Sequence, residues 1–448
     1  MIEAANPPQQ RSYKEMRFLV DKVRQRGILW CLKRVAPYFL LLPLALLLRL
    51  LLLTLKPLIH LRFGRLWSPR LGTFTMVTEL YLCERDAKQH PRRSFDLWYH
   101  YDRDAYILQN QSTPQQSICN QQLNLMWGRL IHISRVGEFL DRLNRMLRRG
   151  SETFAVPLAE PNDFSGLLGQ FPAHLSFTES EEQRGLAELE NLGITPEDQF
   201  VCFHARDSAY LDVARPRNAE LYGDWSWQNF RDASIENQIP AAEQLTKLGY
   251  FAIRMGKHVK ASLPGSNPKV IDYATRHQSD FLDVYLSHRC AFFIGQNSGM
   301  TALPMILRKP LVFVNVFPLQ EIAYCQYRDG ILIPKKFYSQ EYGRFLTFRE
   351  IFDLGLGAFK MNDAGHQALG DQLGLQIVEN TAEEILDLAM EMHQRLQSSF
   401  QTSEEDRELQ ERIQALVRSY PQIVPLEGAT NRITFGTSFL RANPELLD

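Results

Sequence analysis

The chain has 448 residues, 45% of them hydrophobic and 23% charged, with a formal net charge of −1. That length holds two domains of ordinary size plus short extensions, and the composition is that of a packed globular protein. A charge so close to zero excludes the global basic field of a nucleic-acid binder. Six cysteines (Cys31, Cys83, Cys119, Cys202, Cys290 and Cys325) form no C-x-x-C pair and no zinc spacing, which predicts reduced thiols in a reducing compartment.

The first region, 1–60, opens with crowded cations, among them Arg11, Lys14, Arg17, Lys22, Arg24, Arg26, Lys33 and Arg34. Residues 35–55, VAPYFLLLPLALLLRLLLLTL, approach the ~20 apolar residues that a spanning helix needs. Pro37, Pro43 and Arg49 interrupt the run, and no small-residue cleavage site follows it. Lys33 and Arg34 precede it, while Lys56, Arg62, Arg65 and Arg70 follow, so charge assigns no orientation. A span, an in-plane or re-entrant anchor and a buried core helix all fit the run. The in-plane segment, with its basic flanks on anionic headgroups, is the expectation.

Region 61–195 reads as a first α/β lobe. The loop Ser68-Pro69-Arg70-Leu71-Gly72 leads into a helix through Met76, Leu80 and Leu82. Phe95–His100 and Arg129–Ile133 are strand-like, Val136–Leu147 is a helix stopping near Gly150, and 151–180 reads as loop. Region 196–400 is a second lobe of clearer alternation. Strands are expected at Gln199–Phe203, Tyr250–Met255, Lys269–Ile271, Ala291–Ile294, Leu311–Val316, Gly330–Ile333 and Leu375–Val378. Helices are expected at Ala241–Leu248, Phe281–Ser287 and Gly299–Leu307, with one opened by the capping box at Thr381 and running to Leu396. Such alternation predicts a parallel, doubly wound sheet, whose ligands sit outside the carboxyl ends of the strands. Region 401–448 adds a charged helix over Gln401–Arg418 and a tail that the pattern would fold back onto the first lobe.

Four segments stand at predicted strand ends. His204-Ala205-Arg206-Asp207-Ser208-Ala209-Tyr210 follows the first strand of the second lobe. Arg206 has the fork that grips a diphosphate in two places, His204 could brace it or touch a sugar, and Asp207 could fix it or accept a hydroxyl. A structural Arg–Asp pair beside a satisfied His is the plain alternative. Gly295-Gln296-Asn297-Ser298-Gly299-Met300-Thr301 joins a strand to a helix, where close backbone approach and free N–H groups suit a phosphate leaving group. An ordinary capped turn would read the same way. Arg254, Gly256 and Lys257 end another strand, and Asp272-Tyr273 ends the next, as possible phosphate, base or ribose contacts. Asp280 and Asp283 read better as helix-capping charges, and Trp225 with Trp227 as a partly packed loop. G-x-x-x-x-G-K-[ST], G-x-G-x-x-G and G-x-S-x-G motifs are absent.

In series, HARDSAYLD (204–212), FRDASIENQIPAAEQLTKLGYFAIRMG (230–256), VIDYA (270–274), SDFLDVYLSHRCAFFIGQNSGMTALPMIL (279–307) and LTFREIF (346–352) resemble a family of bacterial glycosyltransferases from surface-carbohydrate loci. Arg70, Gly72, Glu79 and Ser438-Phe439-Leu440 also look like family features. The H-x-R motif and the strand–Gly–x–x–Ser–Gly turn are similar, more distantly, to the two-lobed fucosyltransferases. Arg231-Asp232 stands where the resemblance would put Arg-Asn, which bears on donor choice.

The resemblance implies two Rossmann-like lobes of the GT-B-like kind, with an N-terminal membrane-associated segment. It implies transfer of a hexosyl or deoxyhexosyl group from a nucleotide sugar to a glycan or lipid-linked acceptor, at the cytoplasmic face of the plasma membrane. The nucleotide sugar is substrate; no cofactor and no metal enter the scheme, and nucleic acid is not a partner. His204, Arg206, Asp207 and Glu79 become the catalytic candidates. Arg206, Arg254, Gly256, Asp272, Gln296, Asn297, Ser298, Gly299 and Thr301 become the donor-binding ones. A sugar-nucleotide epimerase, a transferase of pyruvyl or phosphate groups and an inactive scaffold are the competing readings.

Overall fold

Helices begin where the sequence supplies a cap. The side chains of Asn120, Ser134, Thr178, Ser279, Thr381 and Ser403 each accept a hydrogen bond from a backbone N–H two or three residues on. At Thr178, Thr381 and Ser403 an acidic residue three positions later returns the bond and completes a capping box. The computed structural model describes residues 28–101, 118–157, 162–209, 229–325, 329–359, 363–424 and 433–447, with backbone alone over 28–39 and 323–325.

In chain order these are α1 (Ile28–Leu55), β1 (His60–Leu66), α2 (Leu71–Asp86), β2 (Ser94–His100), α3 (Gln121–Gly128), β3 (His132–Ile133), α4 (Arg135–Met146) and α5 (Glu179–Asn191). Then come β4 (Phe200–Phe203), α6 (Ile239–Lys247), β5 (Phe251–Arg254), β6 (Val270–Ile271), α7 (Asp280–Arg289), β7 (Phe293–Gly295), α8 (Ala302–Ile306), β8 (Leu311–Val316) and β9 (Gly330–Pro334). The chain closes with β10 (Lys336–Ser339), β11 (Arg344–Phe345), β12 (Leu375–Val378), α9 (Ala382–Leu396), α10 (Glu404–Arg418) and α11 (Thr437–Ala442).

Two compact units result, and they cut across the boundaries expected from sequence. The smaller one takes 1–65, 91–100 and 131–157. Its sheet runs β1-β2-β3, with β2 and β3 parallel. The expected Rossmann-like first lobe is therefore, among the described residues, three strands with α1 and α4. Arg62 grips Asp96 through Nε at 2.7 Å and a second nitrogen at 2.6 Å, and Asp141 accepts from Tyr99 at 2.6 Å and Arg145 at 2.7 Å. Among the described residues no helix is long and apolar enough to cross a membrane.

The larger unit takes 66–90, 101–130 and 158–448. It claims α2, α3 and α5, which sequence assigned to the first lobe, because α2 packs on α8 while α3 and α5 pack on α7. Its six-stranded sheet is parallel throughout, in the order β6-β5-β4-β7-β8-β9. Every residue of β8 is buried, as expected for a parallel sheet covered on both faces. A smaller antiparallel sheet, β11-β10-β12, lies beyond it in sequence. The sequence pattern would fold the C-terminal tail onto the first lobe; its described residues pack within the larger unit. The tail covers the exposed edge of β9, where Leu332 N donates to Thr434 O and Gly436 N to Leu332 O, both at 2.9 Å. A hydrogen bond and an ion pair hold it there: Glu391 accepts from Thr437 N at 2.8 Å, and Arg441 grips Asp406 twice at 2.6 Å.

Where α5 crosses α7, Gly185 faces the ring of Tyr285, and a Cβ at 185 would fall 2.1 Å from it. Gly185→Ala should destabilise the protein by about 1–3 kcal/mol through overpacking. Gly128→Ala, whose Cβ would meet nothing within 4 Å, should be neutral or stabilising by up to ~1 kcal/mol. Urea denaturation midpoints with unchanged slopes would check both; equal midpoints for the two variants would refute the packing argument.

Candidate functional site

The strand order of the large sheet places β4 at its centre. From β4 the chain winds outward through β5 and β6, then returns to build β7, β8 and β9 on the other side. The reversal falls between β4 and β7, the switch point at which loops leaving the carboxyl ends of strands in an open sheet can form a ligand crevice. Those loops are 204–209 and 296–301, the two segments that sequence singled out first.

The loops are joined by one buried side chain. Gln296 Oε1 accepts from Arg206 N at 3.1 Å, and its Nε2 donates to the carbonyl of Arg231. Arg231 in turn donates to Asn297 O at 2.6 Å, and Asn297 donates to Glu321. The Arg206 guanidinium pairs with Asp232. Lys335, at the end of β9 and 2% exposed, donates to Phe230 O at 3.1 Å and Asp232 O at 2.5 Å. Three cations, Arg206, Arg231 and Lys335, thus gather around this loop cluster. Burial lowers the pKa of both Arg206 and Lys335, partly offset in each by nearby carboxylates including Asp232. Burial likewise pushes Asp232 up against the pull of Arg206.

Not every expected site residue faces the crevice. Asn297, Ser298 and Gly299 are half-buried, and Arg206 and His204 are partly exposed. His204 Nδ1 donates to Met255 O at 3.0 Å, which leaves Nε2 as an acceptor in the neutral ring. Burial holds that ring neutral, drawing its pKa down to about 4. Asp207 spans two backbone groups, accepting from Ala209 N at 2.8 Å and Lys260 N at 3.1 Å. Gln296 and Thr301 are braces, with the Thr301 hydroxyl donating to Gln296 O at 2.7 Å. Arg254 and Asp272 are buried together, and they hold the 261–263 loop through Ala261 O at 2.6 Å and Leu263 N at 2.9 Å. Gly256 is buried behind them, with Val259 where a Cβ would stand. Lys257 reaches Asp280 at 2.9 Å, and Asp280 accepts from Gln121 N at 2.7 Å, so that carboxylate caps α3 rather than its own helix. Tyr210, Trp225 and Trp227 lie outside the described residues.

The helix after the second loop is shorter than sequence suggested. It spans Ala302–Ile306, five residues, too few for a strong dipole. The turn itself offers the N–H groups, with Ser298 Oγ accepting from Thr301 N at 3.3 Å. Gly299 and Gly72, at the start of α2, meet backbone to backbone; a Cβ on Gly299 would stand 3.0 Å from Gly72 N. Only glycine allows that approach.

Glu79 is placed elsewhere in this unit. Fully buried on α2, it accepts from Arg308 at 2.7 Å and from His174 Nδ1 at 3.0 Å. It is a structural clamp, seven residues along α2 from Gly72, and not part of the crevice. Glu79, Cys83 and His174 bring three potential metal-ligating atoms within 4.8 Å of one another. The Arg308 guanidinium already lies 3.5 Å from Cys83 Sγ, so the cluster carries its own cation. Sequence missed this cluster because His174 joins it from a segment some ninety residues beyond the helix that carries Glu79 and Cys83. It also missed Lys335 and Gln238, whose Nε2 donates to His204 O at 3.1 Å; position at a strand end was the available signal for Lys335.

A parallel, centre-out sheet with cations gathered at its switch point defines a Rossmann-like unit. The chain is similar in fold to a family 9 glycosyl transferase from Veillonella parvula DSM 2008, at 13% identity and a TM-score of 0.43, covering 76% of this chain and 98% of that one. It is also similar to the E. coli ADP-heptose LPS heptosyltransferase II, at 11% identity and a TM-score of 0.33, covering 70% and 98%. A third similarity is to the dodecameric iron-containing heptosyltransferase TibC in complex with ADP-D-β-D-heptose, at 11% identity and a TM-score of 0.29, covering 75% and 78%. No family model and no curated protein matches the sequence. With every TM-score below 0.5, functional assignment stands on the residues of the crevice.

His174 tests the clamp. Burial alone would lower its pKa, but its hydrogen bonds to Cys83, Glu79 and Asp86, with the charge of Glu79, outweigh that and carry it up to about 10. Its folded pKa exceeds the unfolded value near 6.5, so its contribution is full below that pH and fades as pH rises through about 10. Urea titrations should show an alkaline loss of stability that His174→Gln largely removes. Glu79→Ala, which strands Arg308, should cost roughly 3–5 kcal/mol at neutral pH.

Proposed function

We propose that this protein is a glycosyltransferase whose larger unit binds a nucleoside-diphosphate sugar across the β4–β7 crevice. The observation that carries the reading is the convergence of Arg206, Arg231 and Lys335 beside the Gln296–Gly299 turn. Fixed cations and backbone N–H groups that exist before the reaction stabilise the charge developing on a departing diphosphate. Arg206 is the bidentate phosphate ligand, with Asn297, Ser298 and Gly299 along the turn. His204, neutral and accepting at Nε2, orients a donor hydroxyl. Asp207 fixes the loop that carries Arg206. The protein's own cations supply the countercharge, and the scheme draws on no metal and no cofactor.

The acceptor in this reading is a glycan or lipid-linked saccharide of surface-polymer assembly. The work is placed at the cytoplasmic face of the plasma membrane, where nucleotide sugars are made. Support for this part is the sequence resemblance in series from 204 to 352.

In the free protein Asp232 occupies Arg206, the group a diphosphate must take. Asp232→Asn should free that guanidinium and tighten UDP-, GDP- or ADP-sugar binding about tenfold, or ~1.4 kcal/mol. Arg206→Ala should weaken it by a hundredfold or so, ~3 kcal/mol. Thermal shift and calorimetry with a panel of nucleotide sugars would read both. A panel that gives no response with the parent protein would sink the donor reading and leave a scaffold; an unaltered Arg206→Ala would leave the residue a structural role.

A further inference from the structure

The described part of α1 has two unlike sides. Ala45, Leu48 and Leu52 are buried, a stripe at helical spacing that packs on α4. The other side is leucine left bare: Leu40 is 81% exposed, Leu47 63%, Leu50 61% and Leu51 51%, and Leu58 continues the patch at 70%. An apolar patch of this extent on a soluble surface marks an interaction site.

Arg49 seemed, in sequence, to interrupt the patch. It turns the other way. Its guanidinium donates to Arg149 O at 2.9 Å, Asn144 O at 3.0 Å, Asn144 Oδ1 at 2.8 Å and Leu147 O at 3.3 Å, closing the carbonyl end of α4. The bare side therefore carries no charge between Leu40 and Leu55. No acidic residue occurs anywhere from Ile28 to Ile59. Lys56 is exposed just beyond the patch, and Arg148 and Arg149 are exposed at the end of α4 where Arg49 docks.

We propose that this leucine face is a membrane-binding surface that lies in the plane of an anionic lipid bilayer. A spanning orientation conflicts with α4. That helix lies along the buried side of α1 and carries the exposed pair Glu138–Arg142, at 2.6 Å, and the Asp141–Arg145 pair. A span would carry those charges into hydrocarbon. Lying in the interface, α1 buries only its bare side, to a depth of ~5–10 Å, and keeps α4 in water. A second copy of the chain suits the face less well. Among the described side chains from Leu40 to Leu58 it offers no aromatic anchor of the kind that dominates protein interfaces. A two-fold contact would also oppose the cationic rims, whereas anionic headgroups neutralise them. The proposal does not rest on the donor reading, and its test needs no nucleotide sugar.

The test is co-sedimentation of the full chain with vesicles of phosphatidylglycerol and phosphatidylethanolamine, against vesicles of phosphatidylcholine alone. The parent protein should bind the anionic vesicles, more weakly at high salt, and should be released by alkaline carbonate. Leu47→Glu/Leu51→Glu, both at exposed positions, should lower partitioning roughly a hundredfold while leaving the urea midpoint unchanged. Binding by this variant equal to the parent's would overturn the proposal. So would carbonate resistance, which indicates a span. A parent that ignores both vesicle types but forms a dimer dispersed by the double substitution would assign the face to a second copy instead.

Discussion

The carboxamide of Gln296 is the constraint on which the candidate site depends. It is 2% exposed and uses both ends, accepting from Arg206 N and donating to Arg231 O. One side chain from the β7 loop thereby fixes two segments of the β4–α6 connection. A buried amide that loses either partner pays a desolvation cost of about 1–3 kcal/mol. The loops are consequently held together whether or not a ligand is present. The cations they carry are placed by that bond and by the parallel pairing of Cys202–Phe203 with Phe293–Ile294. Preorganisation of this kind is what lets fixed charge act on a leaving group without reorganising at the moment of transfer.

Much of the larger unit was legible in the sequence. Apolar runs such as Leu311–Val316 and Phe200–Phe203 are buried on every residue, so their pattern is continuous and their length identifies them as strands. The smaller unit was less legible. Its boundaries depend on which helix packs where, a tertiary fact with no local signature. Helix α3 was missed because its eight residues show little periodicity, and α5 because the loop-like segment before it hid the Thr178–Glu181 capping box. The tail was misplaced because isolated apolar residues do not reveal which edge they cover.

At the site, chain position found the right loops but not the right roles. A charged residue at a strand's carboxyl end can face the crevice or turn back into the fold, and spacing does not separate the two. Arg206 and Arg254 illustrate this. Both end strands of one sheet, yet Arg254 is 3% exposed and holds a loop carbonyl, while Arg206 sits among the half-buried groups of the crevice. Burial of the partner distinguishes them as well: Asp272 is enclosed and also accepts Leu263 N and Thr275 Oγ1, whereas Asp232 keeps 19% of its side chain exposed. A carboxylate with all its lone pairs engaged is part of the framework. One bound chiefly to a guanidinium can yield it.

That distinction gives Asp232 its place in the chemistry. The Arg206 guanidinium has lost much of its water, and an uncompensated buried cation is costly. Asp232 provides the countercharge in the free protein at the expense of standing where phosphate oxygens would bind. In the proposed reading, a diphosphate carries more charge than one carboxylate and would contact Arg206 together with the turn at Asn297–Gly299, so it would displace Asp232 once both groups engage. Neither group would suffice alone: the turn begins a helix of only five residues, and the arginine begins paired. On that reading, preference for a diphosphate over a lone carboxylate or monophosphate would rest on the need to reach both loops at once.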